Sequence, residues 1–471
     1  MNRRLAVRIA AALLAVAMLA VPASAVAGKG NKHKKTSVTV CKHGCKYNKI
    51  QKAVKKAGKD KKIKTVKVKP GKYVEGVVVD GKKYNGLTIM GTNKKNPRKT
   101  ILEGKNAQLP GGLGIANNGI EIDDAKNVTV ENMWVRNFAT NGVFWRDTNT
   151  DDNKNTCKNP VGKNMAVSFN RSYGLFTFGC VGGSFVKSEG WGHGDSAYYV
   201  GATPFQDNPE KTILNKLESY ENVLGYSGTN SKYMVIKNSN FYNNGVGVVP
   251  NTLDSEPFEP TGDSVLKNNN IFWNNFNYFL DASPVKTVSN GLGQIGDLTL
   301  QYPTGIGVAL FGSDGWTVKD NQIFGNFMWG LAEFSDPFND GDDATSQNNQ
   351  VLNNAMGKNG TDTNGNYDFW IDGSGGNNCF SGNNSSTFAP TTDASATIAQ
   401  LYPPCPVPDG SQPNPGATGG SLGNNNMVFN QLVPYVTTDP PENQECSWTQ
   451  HPHPAFKNYE PVDITPGPDC P

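Results

Sequence analysis

Short apolar segments alternate with asparagine-rich polar clusters along most of the chain. Clusters similar to Lys-Asn-Ser-Asn-Phe-Tyr-Asn-Asn recur at residues 237–244, 267–275, 319–326, 347–354 and 377–384, and more weakly at 131–137 and 218–222. Three strands of about five residues, with their turns, fill about 22 residues, so this period predicts a solenoid of three-stranded coils. Equivalent asparagines would then bond from coil to coil around stacked Ile, Val, Leu and Phe.

Residues 47–60 predict a short helix before the repeats. Ile50, Ala53, Val54 and Ala57 recur with helical spacing, and lysines occupy the other faces. The segments that follow are strand-like and are separated by Pro-Gly and Asp-Gly turns. Because the first coil of a solenoid has an open apolar end, we expect this helix to cover it as a cap.

Composition narrows the fold class further. The 471 residues include 56 Asn and 52 Gly, and only 18% are charged. This composition excludes a coiled coil or helix bundle, which needs more Glu, Lys, Ala and Leu. An apolar content of 37% with 10% aromatic residues excludes a wholly disordered chain. Fifteen of the 29 prolines lie in residues 401–471, which predicts a loop-rich C-terminal tail.

These segments resemble a known fold family. Residues 47–57, followed by Val-Lys-Pro-Gly-Lys-Tyr-Val-Glu at 68–75 and the asparagine-rich coils, are similar to the right-handed parallel β-helix of the pectin-lyase-like superfamily. The resemblance covers roughly residues 38–390 and implies a right-handed parallel β-helix. Together with the residue patterns it predicts an all-β solenoid over residues 38–400, with an N-terminal capping helix and a Pro-rich C-terminal tail pinned by disulfides. The superfamily includes pectate and alginate lyases, polygalacturonases, uronan epimerases, phage tailspikes and uncharacterised surface proteins.

The N-terminus has the features of a secretory signal peptide. Residues 1–27 contain three early arginines, an apolar stretch at 9–21 and a small-residue cleavage site, Ala-Ser-Ala, at 23–25. We therefore expect a secreted protein, extracellular or at the cell surface, with no membrane span after cleavage. Residues 28–37 are interpreted as a flexible basic arm.

The eight cysteines favour disulfides, because the chain is expected to be exported. Consecutive coils bring residues about one period apart together, which predicts pairing between neighbours. The expected pairs are Cys41–Cys45, Cys157–Cys180, Cys379–Cys405 and Cys446–Cys470.

Charge is strongly asymmetric although the formal net charge is only +3. Residues 28–105 carry 24 basic and 4 acidic side chains, whereas the chain from residue 106 onward carries 17 and 37. A basic block can bind an anionic partner, here an acidic polysaccharide or cell-wall polymer, or it can be a solvated basic face. No nucleic-acid motif is found, no cofactor is expected, calcium binding has no specific motif, and we expect a monomer.

Candidate site residues cluster around the segment Lys-Ser-Glu-Gly-Trp-Gly-His-Gly-Asp at 187–195, which lies among the longest insertions, 146–164, 188–195, 203–211 and 251–263. Chemistry on uronic acids requires a cation to neutralise the carboxylate, a base and an acid. The candidate catalytic residues are Arg146 or Arg171 as the cation, His193 as the base, Tyr198 or Tyr199 as the acid, and Asp195. The candidate substrate-binding residues are Trp191, Trp145, Lys187 and Glu189.

A hydrolase remains a second alternative. Residues 149–152 and Gly-His-Gly at 192–194 resemble part of the polygalacturonase pattern, but its Asp-Asp and Arg-Ile-Lys motifs are absent. The acidic segments 254–259 and 336–343 are interpreted as solvated loops, so no metal site is predicted. Two function classes stay open: a non-catalytic solenoid that binds extracellular polysaccharide, and an enzyme, either a lyase or C5-epimerase on an acidic glycan or a glycoside hydrolase.

Overall fold

The computed structural model describes residues 36–112, 114–152, 154–276, 278, 304–326, 328–336, 345–357, 364, 367–372, 375–384, 388–389 and 402–407. The predicted signal peptide, nearly all of the basic arm, and most of the C-terminal tail with Cys446 and Cys470 lie outside these residues. Strand β1 begins at Ser37, inside the segment predicted as a flexible arm.

Three long sheets, here called A, B and C, contain the strands. Sheet A is formed by β1 (Ser37–Val40), β2 (Thr65–Val68), β5 (Thr88–Gly91), β8 (Thr129–Glu131), β11 (Val161–Lys163), β14 (Gly183–Val186), β17 (Thr212–Asn215), β20 (Met234–Lys237), β23 (Thr261–Lys267), β26 (Ser313–Lys319), β29 (Gln350–Leu352) and β32 (Cys379–Ser381). Sheet B is formed by β3 (Gly71–Val74), β6 (Thr100–Glu103), β9 (Trp134–Arg136), β12 (Ala166–Ser168), β15 (Glu189–Trp191), β18 (Glu218–Tyr220), β21 (Asn240–Tyr242), β24 (Asn270–Phe272), β27 (Gln322–Phe324) and β30 (Ala355–Met356). Sheet C is formed by β4 (Val77–Asp80), β7 (Ile120–Asp123), β10 (Val143–Arg146), β13 (Leu175–Phe178), β16 (Ser196–Gly201), β19 (Leu224–Thr229), β22 (Val246–Asn251), β25 (Ile306–Phe311), β28 (Trp329–Phe334), β31 (Tyr367–Ile371) and β33 (Phe388–Ala389).

Each coil adds one strand to sheet A, then one to B, then one to C. Strands β8, β9 and β10 of one coil pair in parallel with β11, β12 and β13 of the next. Side chains that point inward from the three sheets form one continuous apolar core. The fold is a right-handed parallel β-helix, as the sequence predicts.

Helix α1 (Ile50–Lys59) covers the first coil. Ile50, Ala53, Val54 and Ala57 are buried in the core, which is the predicted apolar stripe. The Gln51 side chain accepts from the Val78 amide at 2.6 Å and donates to the Val78 carbonyl at 3.0 Å. Because β4 is an edge strand of sheet C, this pairing satisfies backbone groups that would otherwise be open to another strand. Short 3-10 helices occur at Lys82–Tyr84, Pro97–Lys99 and Thr150–Asp152.

A ladder of buried side chains follows the turn between sheets B and C in successive coils. In this B–C ladder each backbone amide donates to the side chain of the next coil, for example Asn222 to Asn244 Oδ1 at 3.2 Å and Asn274 to Asn326 Oδ1 at 3.1 Å. Its members are Asn170, His193, Asn222, Asn244, Asn274, Asn326 and Asn364. The ladder satisfies backbone groups at bends, where no strand partner exists, and so fixes the position of each coil.

Glycines that begin the sheet C strands let the coils approach beside this ladder. A Cβ atom on Gly247 would lie 2.5 Å from the carbonyl oxygen of Gly307, and one on Gly307 would lie 2.5 Å from that of Gly330. Any side chain there would separate neighbouring coils. This close contact explains why the apolar segments of the repeat so often begin with Gly.

Three disulfides fasten loops to the β-helix, and they are the predicted pairs. Cys41–Cys45 closes the turn before α1, Cys157–Cys180 joins two consecutive coils, and Cys379–Cys405 joins β32 to the described part of the tail. Tyr402 is buried in the core beside Phe380, with ring centroids 4.8 Å apart. The beginning of the tail therefore packs on the last coils.

Candidate functional site

Long connections leave sheet C and enclose part of its outer face. Residues 147–160, 202–211 and 252–260 connect sheet C strands to the following sheet A strands and are here called wall loops 1, 2 and 3. They coincide with three of the four insertions that the sequence predicts. The fourth, 188–195, is not an insertion, because it contains β15 and one position of the B–C ladder.

Aromatic side chains form the floor between the wall loops. Phe144 and Phe176 occupy paired positions on β10 and β13, and their rings stack 4.2 Å apart. Tyr199 on β16 continues this row, with its ring 4.8 Å from that of Phe176. Tyr173 packs against Tyr199 at 4.5 Å. The floor is therefore a largely buried aromatic cluster that carries two phenol groups, with the rings of Phe176 and Tyr199 nearly perpendicular.

Two carboxyl groups meet these phenols. The Tyr199 hydroxyl donates to Glu256 of wall loop 3 and lies 2.9 Å from Oε1 and 3.1 Å from Oε2. Asp195, which precedes β16, is hydrogen-bonded by Tyr173. Its Oδ1 atom is buried and has no hydrogen-bond partner among the described residues. Tyr173, Asp195, Tyr199 and Glu256 are here called the carboxyl–tyrosine cluster.

The pKa values of both carboxyl groups of this cluster are raised to near neutral pH. Burial raises the pKa of Asp195 to about 7, although the hydrogen bond from Tyr173 acts in the opposite direction, and the negative charge of Glu256 raises it further. Burial likewise raises the pKa of Glu256 to about 7, against the hydrogen bond from Tyr199. Two interacting acids of this kind retain one proton between them near pH 7.

Wall loop 3 is fixed to the β-helix by side chains beneath it. Asn230 donates to the carbonyl oxygens of Leu253 at 2.8 Å and Glu256 at 2.7 Å, and it accepts from the Leu253 amide at 3.1 Å. The Lys232 ammonium group binds the carbonyl oxygens of Phe258 and Pro260. Glu256 is thus positioned by the backbone of its loop as well as by Tyr199.

Three of the predicted site residues point into the core. His193, Trp145 and Tyr198 have no exposed surface. Trp145 donates to the Val128 carbonyl at 3.3 Å, and Tyr198 donates to the Glu218 carbonyl at 3.1 Å. Side chains enclosed in this way cannot contact a polymer outside the β-helix. We therefore do not propose His193 as a base, Tyr198 as an acid or Trp145 as a substrate-binding residue.

His193 instead replaces asparagine in the B–C ladder. Its amide donates to Asn222 Oδ1 at 3.0 Å, and its Nδ1 accepts from the Asn170 amide at 3.4 Å. Burial lowers the pKa of His193 to about 3, so the ring is neutral at physiological pH. The side-chain nitrogen Asn170 Nδ2 has no hydrogen-bond partner among the described residues, because an imidazole lacks the amide oxygen of the other ladder positions.

Three further predicted residues lie away from the cluster, around sheet B. Trp191 faces outward but is covered by Arg98, whose guanidinium carbon lies 4.3 Å from the ring centroid. Arg98 also forms a two-pronged ion pair with Glu189, with both N–O distances 2.7 Å. Lys187 is exposed in the turn after β14. The structure therefore separates Trp191, Glu189 and Lys187 from Asp195 and Tyr199.

The two predicted arginines differ in position. Arg146 lies on the outer face of sheet C, but it is paired with Glu121 at 2.8 Å and Asp123 at 2.7 Å. Arg171 directly follows the ladder residue Asn170 and is partly buried. Arg146 is therefore near the floor of the site with its charge already compensated.

Sequence reasoning missed Tyr173 and Glu256. Glu256 lies in the segment interpreted as a solvated acidic loop, and that interpretation is wrong for this residue, because its carboxylate binds Tyr199. Tyr199 and Glu256 are 57 positions apart in the sequence, and no local pattern indicates their contact. The sequence offered only one signal: the strand that carries Tyr199 precedes one long insertion, and Glu256 lies within another.

We expect His193→Asn to raise stability by about 1 kcal/mol, because the new amide can accept from Asn170 Nδ2, a buried donor without a partner among the described residues. Thermal unfolding of the variant and the wild type measures the difference. An unchanged or lower unfolding temperature would contradict this account of the ladder.

Comparisons with known proteins concern the fold. No protein-family profile matches the sequence, and no curated protein matches it. The A-module of a mannuronan C-5 epimerase from Azotobacter vinelandii is 14% identical over 71% of this chain and 82% of that module, with a TM-score of 0.49. A second epimerase A-module from that organism is 15% identical over 72% and 94%, with a TM-score of 0.39. The catalytic domain of an α-1,3-glucanase is 12% identical over 78% and 66%, with a TM-score of 0.41. The likeness is one of fold alone.

None of the helices in the described part of the chain is both long and apolar enough to span a membrane. Nor does any group of three or more His, Cys, Asp or Glu side chains within the described ranges come together in a way that could hold a metal ion.

Proposed function

We propose that this protein is a secreted polysaccharide-active enzyme whose chemistry takes place at the carboxyl–tyrosine cluster. The proposal rests on one observation: Tyr199 contacts Glu256 next to Asp195, and this contact lies among the wall loops that follow sheet C strands. Acids whose pKa values are shifted towards neutrality, placed at the base of a walled surface, are typical of catalytic sites. The disulfides suit an extracellular location.

The chemistry that this cluster supports best is glycoside hydrolysis. Because the pKa values of Asp195 and Glu256 both lie near 7, one carboxyl group can be protonated and donate to the leaving glycosidic oxygen, while the other is ionised and accepts a proton from the attacking water. The bond from the anomeric carbon to the leaving oxygen breaks, and a bond from that carbon to the water oxygen forms. Tyr199 orients Glu256 through its hydrogen bond.

Elimination or epimerisation of a uronic acid is less well supported. Either reaction needs a cation that neutralises the substrate carboxylate. Arg146, on the same outer face, is already paired with Glu121 and Asp123. A uronate brought next to Glu256 and Asp195 would instead meet negative charge. The cluster therefore favours a glycan that is uncharged at the point of cleavage.

An exposed aromatic side chain on the wall could hold such a glycan. Phe205 of wall loop 2 is 61% exposed and contacts Phe258 of wall loop 3 edge to face, with ring centroids 6.3 Å apart. Lys232 lies 4.4 Å from the Phe205 ring centroid and so links the two loops. Aromatic rings offer the flat apolar face on which the C–H side of a sugar packs.

The test is a product analysis on a panel of polysaccharides. The wild-type protein is incubated with neutral α- and β-glucans, polygalacturonate and mannuronan, and both new reducing ends and the ultraviolet absorbance of unsaturated uronates are measured. We expect reducing ends without unsaturated products, a rate maximum near pH 7, and loss of the reaction in Asp195→Asn but not in His193→Asn. Unsaturated products would overturn hydrolysis in favour of elimination. Binding without any product would overturn the proposal that the protein is an enzyme.

A further inference from the structure

A row of lysines follows the turn between sheets A and B through six consecutive coils. Each lysine is the last residue of a sheet A strand or the residue after it. The row, here called the lysine column, consists of Lys163, Lys187, Lys216, Lys237, Lys267 and Lys319. Three of them occupy directly paired positions, since Lys237 pairs with Lys267 and Lys267 pairs with Lys319.

This arrangement works against folding. Adjacent strands lie about 4.8 Å apart, and like charges placed directly opposite each other on neighbouring strands destabilise a sheet. No carboxylate within the described ranges lies within ion-pair distance of any of these six ammonium groups. The column is therefore a line of positive charge along the axis of the β-helix, with two carboxylates beside it, because Glu131 pairs with Lys163 and Asp320 follows Lys319.

Two further acidic side chains lie near the column. Glu189 forms its ion pair with Arg98, so its charge is compensated there and not by Lys187. Glu218 accepts a hydrogen bond of 2.7 Å from the neutral amide of Asn240 and forms no ion pair with Lys216, two residues away in the sequence.

Exposed amide side chains lie beside the lysines, whereas exposed aromatic rings do not. Asn238 and Asn268 directly follow Lys237 and Lys267 and are exposed. The large apolar side chains that are exposed in the described chain are Val74, Ile115, Phe205 and Tyr367, none of which belongs to the strands of the column. Single-stranded nucleic acids bind to stacking aromatic rings, whereas amides and ammonium groups suit a polymer of hydroxyl and carboxylate groups.

We propose that the lysine column binds a linear anionic polysaccharide that runs parallel to the axis of the β-helix. One strand spacing is comparable to the length of one sugar ring, so successive carboxylates can approach successive lysines. The column lies on a different face from the carboxyl–tyrosine cluster. This inference rests on the proposed function only in taking the partner to be a polysaccharide. It assigns attachment of the polymer, and not its cleavage, to the column.

The experiment compares two triple variants that remove the same charge. Lys237→Gln, Lys267→Gln and Lys319→Gln alter the column, whereas Lys82→Gln, Lys105→Gln and Lys126→Gln alter lysines in three separate connections. Binding to polygalacturonate is measured at several NaCl concentrations. We expect the column variant to bind at least tenfold more weakly at low salt, and its plot of log affinity against log salt to be shallower by about 2, since each contact contributes roughly 0.7. The control variant should resemble the wild type.

Three outcomes would overturn the inference. One is equal affinity and equal salt dependence of the two folded triple variants. Another is undiminished binding to neutral dextran, which would show that charge is irrelevant. The third is tighter binding of poly(dT) than of polygalacturonate, lost in the column variant, which would assign the surface to nucleic acid. Because binding is measured here and product formation tests the catalytic proposal, failure of the catalytic proposal and failure of this one are distinguishable.

Discussion

Replacing Glu256 by Gln should lower the rate of glycan cleavage by roughly 10²- to 10⁴-fold, the usual contribution of a positioned acid or base. Glutamine keeps the size of the side chain and can still accept from Tyr199, but it cannot gain or lose a proton. The measurement is the initial rate of reducing-end formation on the best glycan of the panel, with thermal unfolding as a check on folding.

A matched control for this variant is Glu218→Gln. Burial raises the pKa of Glu218, and its carboxylate is also hydrogen-bonded, by Asn240, but it lies on the outer face of sheet B. Its replacement should leave the rate close to that of the wild type. If the Glu256 and Glu218 variants lost activity equally, or if neither lost any, the carboxyl–tyrosine cluster would not be the catalytic centre.

Replacing Glu333 by Gln should remove much of the loss of stability that we expect between about pH 4.5 and pH 8. Glu333 on β28 points into the core between Leu310 and Ile371 of the neighbouring coils and has no exposed surface. Asn349 donates to Oε1 at 3.2 Å, but Oε2 has no hydrogen-bond partner within the described ranges. Burial raises the pKa of Glu333 to about 8, and the charge of Asp372 acts in the same direction.

The direction of this effect follows from proton linkage. The unfolded chain releases the Glu333 proton near its ordinary pKa of 4.5, whereas the folded chain retains the proton up to about pH 8. The stability contributed by the protonated group is complete below the unfolded pKa and is lost as the pH rises through the folded pKa. Since one pKa unit corresponds to about 1.4 kcal/mol, the loss amounts to several kcal/mol.

Urea unfolding of Glu333→Gln and the wild type between pH 5 and 9 measures this difference. We expect similar stability at pH 5 and a variant that is increasingly more stable up to about pH 8. Glu131→Gln, on the outer face of sheet A, is the matched control for the loss of a carboxyl group. Asp195 and Glu256 keep their own pH dependence in both proteins, and parallel curves for the wild type and Glu333→Gln would contradict the expectation.

The fold could be predicted from the repeats because equivalent positions in successive coils carry the same type of residue and make the same contacts. Asn244, Asn274 and Asn326 recur in similar surroundings, and all three belong to the B–C ladder. His193 was misassigned because a solitary histidine in Gly-His-Gly resembles a catalytic motif. Its spacing of 23 residues from Asn170 and 29 from Asn222 is a ladder spacing, and this was the signal that could have identified its structural role.

The site was less predictable for a topological reason. In a β-helix, neighbours on one face are residues from different coils and from loops of different length. Tyr199 could be named as a candidate from its position near Asp195, whereas its partner Glu256 belongs to a connection two coils later. Inward and outward positions also alternate along a strand, so adjacent residues have different surroundings: Tyr198 packs in the core, whereas Tyr199 packs with the aromatic side chains of the floor.

The common origin of the three wall loops at one corner has a consequence for how such a protein can diversify. Each loop leaves the chain after a sheet C strand and returns at a sheet A strand, while the ladder at another corner fixes the pairing of the coils. Residues can therefore be inserted, deleted or exchanged in a wall loop without shifting the register of any sheet. New specificities can evolve, or be grafted by design, by recombining these loops on an unchanged scaffold.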